Sequence, residues 1–289
     1  MWVLLNLSTP INLGMQVHVA TWNLLGDCYV RVPNQPWNAF SRCPAHALAW
    51  DERRPRIAAW IASSPHHVLA LQEVVFEKRL AETAGEERWY VPAWLEEAAA
   101  QAGFAAVMPD TKQADIEKHA ARNLRAVGRA TPTGLVTLYK TDRFELTGAK
   151  HGSGSGSVLF LKDNQSGKRF AVGNTHLSGN PSKSDAHLRQ LAGLAKNIAC
   201  GDEDAARIVC GDFNATFENG DCSAITSWMV NERLVDSPTP TSGACARANT
   251  CGTVSKTSRH ALGFTRSSSL LRAAKGAERV GMMMYRGEG

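Results

Sequence analysis

Residues 68–74 read Val-Leu-Ala-Leu-Gln-Glu-Val, an apolar run that only Gln72 and Glu73 interrupt. A short continuous apolar segment of this kind is typical of a strand buried on both faces. It follows residues 50–63, whose apolar side chains recur at the i, i+3, i+4 spacing of an amphipathic helix. The pairing predicts an α/β domain in which this strand ends at a polar site.

Strands and helices alternate along the rest of the chain in the same way. Further strands are predicted at 17–25, 134–140, 157–162, 169–175 and 206–210, and further helices at 91–102 and 184–199. Residues 163–167, Asp-Asn-Gln-Ser-Gly, have the composition of a hairpin turn. Residues 110–129 are interpreted as a loop or surface helix, and the Gly/Ser repeat at 152–157 as a flexible loop. We therefore expect one α/β domain over residues 1–236, followed by a divergent or truncated segment, 237–289.

The charge of the chain is concentrated in that C-terminal segment. The 289 residues carry a net charge of +5, but residues 237–289 hold eight basic and two acidic side chains, which is +6. Residues 1–236 therefore sum to −1. A basic, Ser/Gly/Ala-rich end is typical either of a nucleic-acid-binding tail or of a solvated, poorly ordered terminus, and the sequence leaves both open.

Composition limits where the protein is expected to work. With 44% hydrophobic residues the chain can form a sizeable core, yet no stretch approaches the roughly 20 apolar residues of a membrane helix. The start lacks a basic region before Arg31, which disfavours a secretory signal, and the seven scattered cysteines form no CxxC pair. We expect an intracellular protein without a membrane partner; cytoplasm or nucleus, and any protein partner, stay open.

Four polar clusters lie at or just after the ends of predicted strands. They are Thr21-Trp22-Asn23, Leu71-Gln72-Glu73-Val74, Asn174-Thr175-His176-Leu177 and Gly211-Asp212-Phe213-Asn214. Strand ends present their side chains to a common mouth of a sheet, although each cluster alone could be a solvated rim or a turn.

The chemistry of these side chains is complementary. Glu73 and Asn23 carry the oxygen ligands that Mg²⁺ prefers. Asp212 could accept a proton from an attacking water while Asn214 holds its geometry. His176, next to Asn174, could donate to a phosphoryl oxygen as negative charge develops.

The four motifs, in this order, resemble the metal-dependent endonuclease/exonuclease/phosphatase superfamily. The resemblance implies a four-layer α/β sandwich of two mixed β-sheets flanked by helices. Trp50-Asp51-Glu52-Arg53, Leu138-Tyr139-Lys140 and Arg189-Gln190 look like the nocturnin and poly(A)-specific deadenylase branch, over about residues 17–235. By that resemblance Glu73 is the principal ligand of Mg²⁺ or Mn²⁺, with Asn23 helping to hold metal or phosphate.

The resemblance also implies that Asp212, Asn214, Asn174 and His176 act at the phosphate. Arg189 is either a phosphate contact or a helix cap. The family ends in an Asp-containing strand and a Ser-Asp-His segment, but here Gly263-Phe264-Thr265 stands where that strand should begin and no Asp-His pair follows. The final strands are therefore expected to be missing, which puts activity in question.

The motifs and the charge of the chain are compatible with three functions. The first is a Mg²⁺-dependent phosphodiesterase of the 3′-exoribonuclease, deadenylase type, acting on RNA. The second is a phosphatase on a small metabolite such as a nicotinamide dinucleotide phosphate or an inositol phosphate, because long nucleic acids usually meet a basic groove and residues 1–236 are near neutral. The third is a non-catalytic relative that binds nucleotide or a protein partner, for which the absent Asp-His pair is the reason.

Overall fold

Two mixed β-sheets packed face to face form the centre of the molecule. The computed structural model describes residues 5–7, 17–30, 43–81, 85–108, 112–152, 156–179, 184–200, 205–214, 234–236 and 280–282. Its strands are β1 (Leu5–Leu7), β2 (Val19–Asn23), β3 (Val68–Val75), β4 (Glu77–Leu80), β5 (Glu87–Tyr90), β6 (Phe104–Val107), β7 (Thr133–Lys140), β8 (Phe144–Gly152), β9 (Gly156–Asp163), β10 (Arg169–His176), β11 (Ala206–Asp212), β12 (Leu234–Asp236) and β13 (Val280–Met282). Its helices are α1 (Ala45–Leu48), α2 (Trp50–Ala62), α3 (Ala93–Gln101), α4 (Gln113–Val127) and α5 (Ser184–Ile198), with a 3₁₀ turn at Asp27–Tyr29.

The two sheets have a similar arrangement of strands. The first has the order β1-β2-β3-β7-β6, and the second has the order β12-β13-β11-β10-β9-β8. In the first, β2 and β3 run parallel, and in the second, β10 and β11 run parallel. Each sheet thus has a central parallel pair whose carboxyl ends lie at one edge, where polar side chains collect.

Three hydrophobic clusters fill the spaces between the layers. One lies between the sheets and joins Val68 and Ala70 of β3 to Val172 of β10 and Ile208 of β11, all at most 4% exposed. A second packs the first sheet against α2, α3 and α4, and a third packs the second sheet against α5. The order helix, sheet, sheet, helix is the four-layer α/β sandwich that the motifs predicted.

Most predicted elements are confirmed, and the exceptions have physical reasons. Residues 113–127 form a regular helix, although its buried side includes Asn123 beside Ile116 and Ala120, which weakens the apolar pattern. The hairpin β4–β5 was not predicted because the sequence of β4 is charged and three of its four residues are exposed. The predicted flexible loop at 152–157 proves to connect the antiparallel strands β8 and β9, with residues 153–155 outside the described part.

The C-terminal segment corrects one expectation. Val280–Met282 forms β13, which lies between β11 and β12 and runs parallel to both. The second sheet therefore does have a final strand from beyond residue 237, although three residues are too few for an alternating pattern to reveal. Of the helices in the described segments, none is both long and apolar enough to cross a bilayer.

Candidate active site

Four predicted site residues from distant parts of the chain meet at one edge of the sandwich. Asn23 ends β2 and Glu73 lies in β3 of the first sheet, while His176 ends β10 and Asp212 ends β11 of the second. The parallel pairing of β10 with β11 places His176 directly opposite Asp212. Because the two parallel pairs end on the same side, four strands deliver their side chains to one place.

A β-bulge aims Glu73 at this place. The pairing of β3 with β7 shifts between Leu71, opposite Val136, and Val74, opposite Gly134, so that two residues of β3 face Leu135 alone. A bulge bends the strand and re-aims the extra side chain. Glu73 takes the left-handed conformation, with φ of 55°, and Gln72 stays inside between the sheets.

Asn23 joins the two carboxylates. Its side-chain Nδ2 donates to Glu73 Oε1 at 2.8 Å and to Asp212 Oδ2 at 2.9 Å. Its Oδ1 accepts from the backbone N–H of Leu25 at 2.9 Å, which determines which way the amide is turned. The side chains of Glu73 and Asp212 are 12% and 9% exposed, so the pair of carboxylates is largely screened from water.

His176 is more exposed than either carboxylate of the cluster. Its Nε2 lies 3.8 Å from Glu73 Oε1 and 3.9 Å from Asp212 Oδ2, and its side chain is 27% exposed. An imidazole in this position faces both carboxylates on one side and the solvent-accessible mouth on the other. It is therefore placed to meet a ligand that enters the cluster.

The turn after β11 positions Asp212. The backbone N–H of Asn214 donates to Asp212 Oδ1 at 2.9 Å, and the Asn214 side chain donates to the carbonyl of Leu177 at 2.9 Å. Asn214 has φ of 47°, a conformation that Asn adopts more readily than most residues. A Cβ on Gly211, the residue before Asp212, would lie 2.0 Å from the carbonyl oxygen of Thr175. Glycine is thus required where β11 passes closest to β10.

Residues with strained backbone conformations lie at this edge of the sandwich. In the described segments, the non-glycine residues with positive φ are Leu25, Glu73 and Asn214. Such conformations cost on the order of 1–3 kcal/mol each and persist where the surrounding structure enforces them. All three lie in or next to the cluster, and this distribution is typical of a functional site.

Two further groups hold the loop after β2, and sequence reasoning assigned neither a function. The backbone N–H of Gly26 donates to Glu73 Oε2 at 2.8 Å, so both oxygens of Glu73 accept a hydrogen bond. Buried Arg53 of α2 donates to the carbonyls of Leu24 and Leu25 at 2.9 and 3.0 Å. Burial lowers the pKa of the Arg53 guanidinium, and the charges of Asp27 and Glu73 oppose that effect. The one signal in the sequence was the Trp50-Asp51-Glu52-Arg53 motif.

Asn174 is not brought into the cluster, and its catalytic role stays a prediction. It is 0% exposed, and its Nδ2 donates to the carbonyls of Leu71 and Val136 in the opposite sheet. Its Oδ1 accepts from Gln72 Nε2 at 2.8 Å. The polar groups of Asn174 are therefore satisfied inside the core, where they hold the two sheets together.

Arg189 lies on α5, the helix that follows β10 in the chain. It is exposed in the middle of α5, on the outer layer, and lines a surface groove together with Gly152 and Lys196. A residue six positions into α5 does not cap the start of that helix. Its neighbour Gln190 contacts the loop after β10 instead, where its Oε1 accepts from the backbone N–H of Ser178 at 3.0 Å.

A hard divalent cation fits this set of donors. Glu73 Oε1 and Asp212 Oδ2 both approach a single nitrogen of Asn23, so two shielded negative groups converge on one point. Burial and the charge of Glu73 raise the pKa of the nearby Cys28 thiol to about 12, which agrees with a locally negative field. Mg²⁺ needs only one or two carboxylates, since it keeps several waters. No group of three or more His, Cys, Asp or Glu side chains spaced for a metal occurs within the described ranges.

The same contacts give the orientation of the Asn23 side chain. Its amide oxygen accepts from Leu25, and its nitrogen faces the carboxylates. In this arrangement the amide nitrogen of Asn23 bridges Glu73 and Asp212, and its role in holding metal or phosphate stays a prediction. The Ser-Asp-His position of the resemblance, and residues 259–265 before it, lie outside the described residues.

A two-sheet α/β sandwich with an acidic, imidazole-bearing cluster at the strand ends defines the class of this protein. The family described as the Endonuclease/Exonuclease/phosphatase family matches residues 20–265, which is most of the 289-residue chain. The chain belongs to this family.

Curated relatives and solved structures place the chain near one part of the family. Nocturnin from Drosophila melanogaster is 27% identical over 221 residues, which are 72% of this chain and 30% of the relative. The CCR4-Not complex 3′-5′-exoribonuclease subunit Ccr4 from Neurospora crassa is 26% identical over 196 residues, 63% of this chain and 23% of the relative. The chain thus spans less than a third of the length of either.

Structural comparison supports the fold. The human Nocturnin catalytic domain with bound sulfate has a TM-score of 0.51 at 18% identity, over 78% of this chain and 72% of that one. ANGEL2, described as a 2′,3′-cyclic phosphatase and bound to adenosine-2′,3′-vanadate, has a TM-score of 0.52 at 21% identity, over 78% and 60%.

Proposed function

We propose that this protein is a Mg²⁺-dependent phosphodiesterase, a 3′-exoribonuclease of the deadenylase type. The observation that carries the proposal is the meeting of Asn23 and Glu73 from one sheet with His176 and Asp212 from the other. Membership in a family of nucleases and phosphatases supports a reaction at a phosphate ester. The similarity to an exoribonuclease subunit supports RNA as the substrate.

The residues of the cluster have different roles in hydrolysis. Asp212, whose two oxygens accept from Asn214 and Asn23, takes the proton of the attacking water. The water oxygen bonds to phosphorus, the bond from phosphorus to the 3′-oxygen of the preceding nucleotide breaks, and solvent supplies the proton that this oxygen needs. A nucleotide 5′-phosphate and a shortened RNA result.

His176 and the cation act on charge rather than on the proton of the water. The imidazole of His176 donates a hydrogen bond to a phosphoryl oxygen as negative charge grows there. Glu73, with Asp212 beside it, would hold Mg²⁺, which when bound supplies positive charge that polarises the phosphate. The hydrogen bonds from Asn23 and Gly26 keep Glu73 oriented for that task.

Nucleotide release from oligo(A) tests the proposal. Purified full-length chain with MgCl₂ should shorten 5′-labelled oligo(A) from its 3′ end, and EDTA should stop the reaction. Glu73→Ala should lower kcat/KM by at least about 100-fold, since removal of one electrostatic group at such a site costs roughly 2.7–4 kcal/mol. Glu77→Ala, on exposed β4, serves as the matched control and should retain activity. Equal rates for wild type and Glu73→Ala would refute the proposal.

A second candidate is a phosphatase on a small phosphorylated metabolite. The net charge of −1 over residues 1–236 favours it, because a long polyanion usually meets a basic groove. A panel of nicotinamide dinucleotide phosphate, inositol phosphates and oligo(A) distinguishes the two, since the phosphatase releases inorganic phosphate and the exonuclease releases nucleotides.

A further inference from the structure

A groove runs along the outer side of helix α5. It has a volume of about 440 Å³, which is within the range of small-ligand sites. Its lining includes Gly152 at the end of β8 and, from α5, Arg189, Gln190, Gly193, Lys196 and Asn197. The opposite face of α5 packs against the second sheet. The groove is therefore a feature of the surface rather than of the core.

The charge of this groove is positive. Arg189 and Lys196 are both exposed, and among the described residues neither makes an ion pair. They lie seven positions apart on one face of α5, which is about 10 Å along the helix axis. Asp185, one turn before Arg189, is not among the lining residues. Two separated cations of this kind favour a ligand that carries more than one negative charge.

The groove also contains an unpaired donor. Within the described ranges, the side-chain Nδ2 of Asn197 is buried and has no hydrogen-bond acceptor. A buried N–H group without a partner is unfavourable, and an oxygen of a bound ligand would satisfy it. Gly193, between the two cations, has no side chain, so a ligand can approach the helix closely there. These groups together favour a ligand with anionic oxygens.

One end of the groove lies at the edge of the sandwich that carries the cluster. The antiparallel pairing of β8 with β9 and of β9 with β10 places Gly152 at the same edge as His176. Gln190, which also lines the groove, accepts from the backbone N–H of Ser178, two residues after His176. The groove thus extends from the neighbourhood of His176 along α5 towards Lys196.

We propose that the groove along α5 binds phosphate groups of the RNA strand on the 5′ side of the scissile bond. This inference rests on the proposed function, because it takes the 3′ end of an RNA to lie at the cluster. A strand held there by its 3′ end continues along the surface of the protein. A long polyanion usually meets a basic groove, and Arg189 and Lys196 supply one beside the cluster although residues 1–236 sum to −1.

Binding of oligonucleotides that resist hydrolysis tests the groove separately from turnover. The probes are a long fluorescent oligo(A) and the adenosine trinucleotide, both with phosphorothioate linkages, titrated by anisotropy with the full chain in a fixed concentration of MgCl₂ while KCl is varied. The double variant Arg189→Gln, Lys196→Gln should bind the long probe about tenfold more weakly at low salt, since each exposed charge pair accounts for about threefold. Each phosphate contact on a single strand contributes about 0.7 to the slope of log K against log salt, so this variant should lose about 1.4 of that slope. Its binding of the trinucleotide should be unchanged.

Two double variants serve as matched controls. Arg189→Lys with Lys196→Arg exchanges the two cations, keeps both charges and should retain the salt slope of wild type. Arg54→Gln with Arg56→Gln removes two exposed charges from α2, which packs on the other sheet, and should also retain that slope.

Each outcome supports or overturns the inference. An unchanged slope in Arg189→Gln, Lys196→Gln overturns it, and so does an equal loss in the α2 control. An equal loss for both probes overturns it as well, because the two cations then act on nucleotides held at the cluster. Unmodified oligo(A) is assayed for cleavage in parallel. Cleavage without the loss of slope overturns this inference alone, the loss of slope without cleavage overturns only the proposed exonuclease, and the absence of both overturns both.

Discussion

Replacement of Asn23 by alanine removes the group that joins the two carboxylates of the site. The variant loses two hydrogen bonds to charged acceptors, on Glu73 and Asp212, and leaves the backbone N–H of Leu25 without the Asn23 oxygen. Each hydrogen bond to a charged group contributes about 1.5–3 kcal/mol. Water that enters the new space offsets part of the loss, so we expect Asn23→Ala to lower the free energy of unfolding by about 2–4 kcal/mol.

A double-mutant cycle separates this effect from a simple loss of packing. Once Asn23 is gone, two largely buried negative charges face each other without the bridging amide. In a Glu73→Gln background one of those charges is absent, so Asn23→Ala should cost about 1–2 kcal/mol less than in wild type. The assay is urea unfolding in EDTA at pH 7.5, followed by circular dichroism, with Asn164→Ala in the exposed hairpin turn as the control. That control should change stability by less than about 0.5 kcal/mol.

The result that would refute the reasoning is additivity. If Asn23→Ala costs the same in both backgrounds, within about 0.5 kcal/mol, the amide does not relieve repulsion between the carboxylates. The cluster would then be an ordinary hydrogen-bonded edge of the sheets.

Three further predictions concern the frame of the site. Gly211→Ala should lower the free energy of unfolding, measured in urea, by about 3 kcal/mol or more. Gly128→Ala, also at positive φ but with nothing within 4 Å, should lower it by only about 1 kcal/mol. Equal losses would disprove the close contact of Gly211 with Thr175. Arg53→Lys should lower the free energy of unfolding by about 2–3 kcal/mol, because an ammonium cannot reach all the carbonyls to which the guanidinium donates. Arg54→Lys, at the exposed neighbouring position, should leave it unchanged. Burial, with a smaller effect from His18, lowers the pKa of His66 from 6.5 to about 4, so the unfolded chain takes up a proton first and stability falls as pH drops from 6.5 towards 4. His66→Asn should reduce that slope without removing it, because the pKa of His67 is also lowered to about 4, and an unchanged slope would contradict the prediction.

The sandwich was predictable because its central strands are buried on both faces. β3, β10 and β11 read as apolar runs with polar residues at their ends, and the periodic pattern of α2 and α5 is clear. Edge strands were harder, since β8 has a largely exposed face and two glycines, and its pairing depends on β9 rather than on its own composition. A strand as short as β13 is specified almost entirely by the strands that flank it.

The sequence predicted which residues lie together at the site better than it predicted the hydrogen bonds that they make. Oxygen-rich side chains at strand ends indicated that Glu73 and Asp212 belong together, and the contacts through Asn23 place them together. The direction of an amide cannot be read from residue type, so the contacts of Asn23 and Asn174 could not be predicted from the sequence.

The cluster draws half of its groups from each sheet, so a ligand that binds there connects the two sheets at their shared edge. A ligand bound there must raise the melting temperature of the whole domain, by the equivalent of about 2.7 kcal/mol at a concentration 100 times its dissociation constant. Thermal-shift screening of divalent ions, nucleotides and sugar phosphates can therefore find what fits the site without any assumption about turnover.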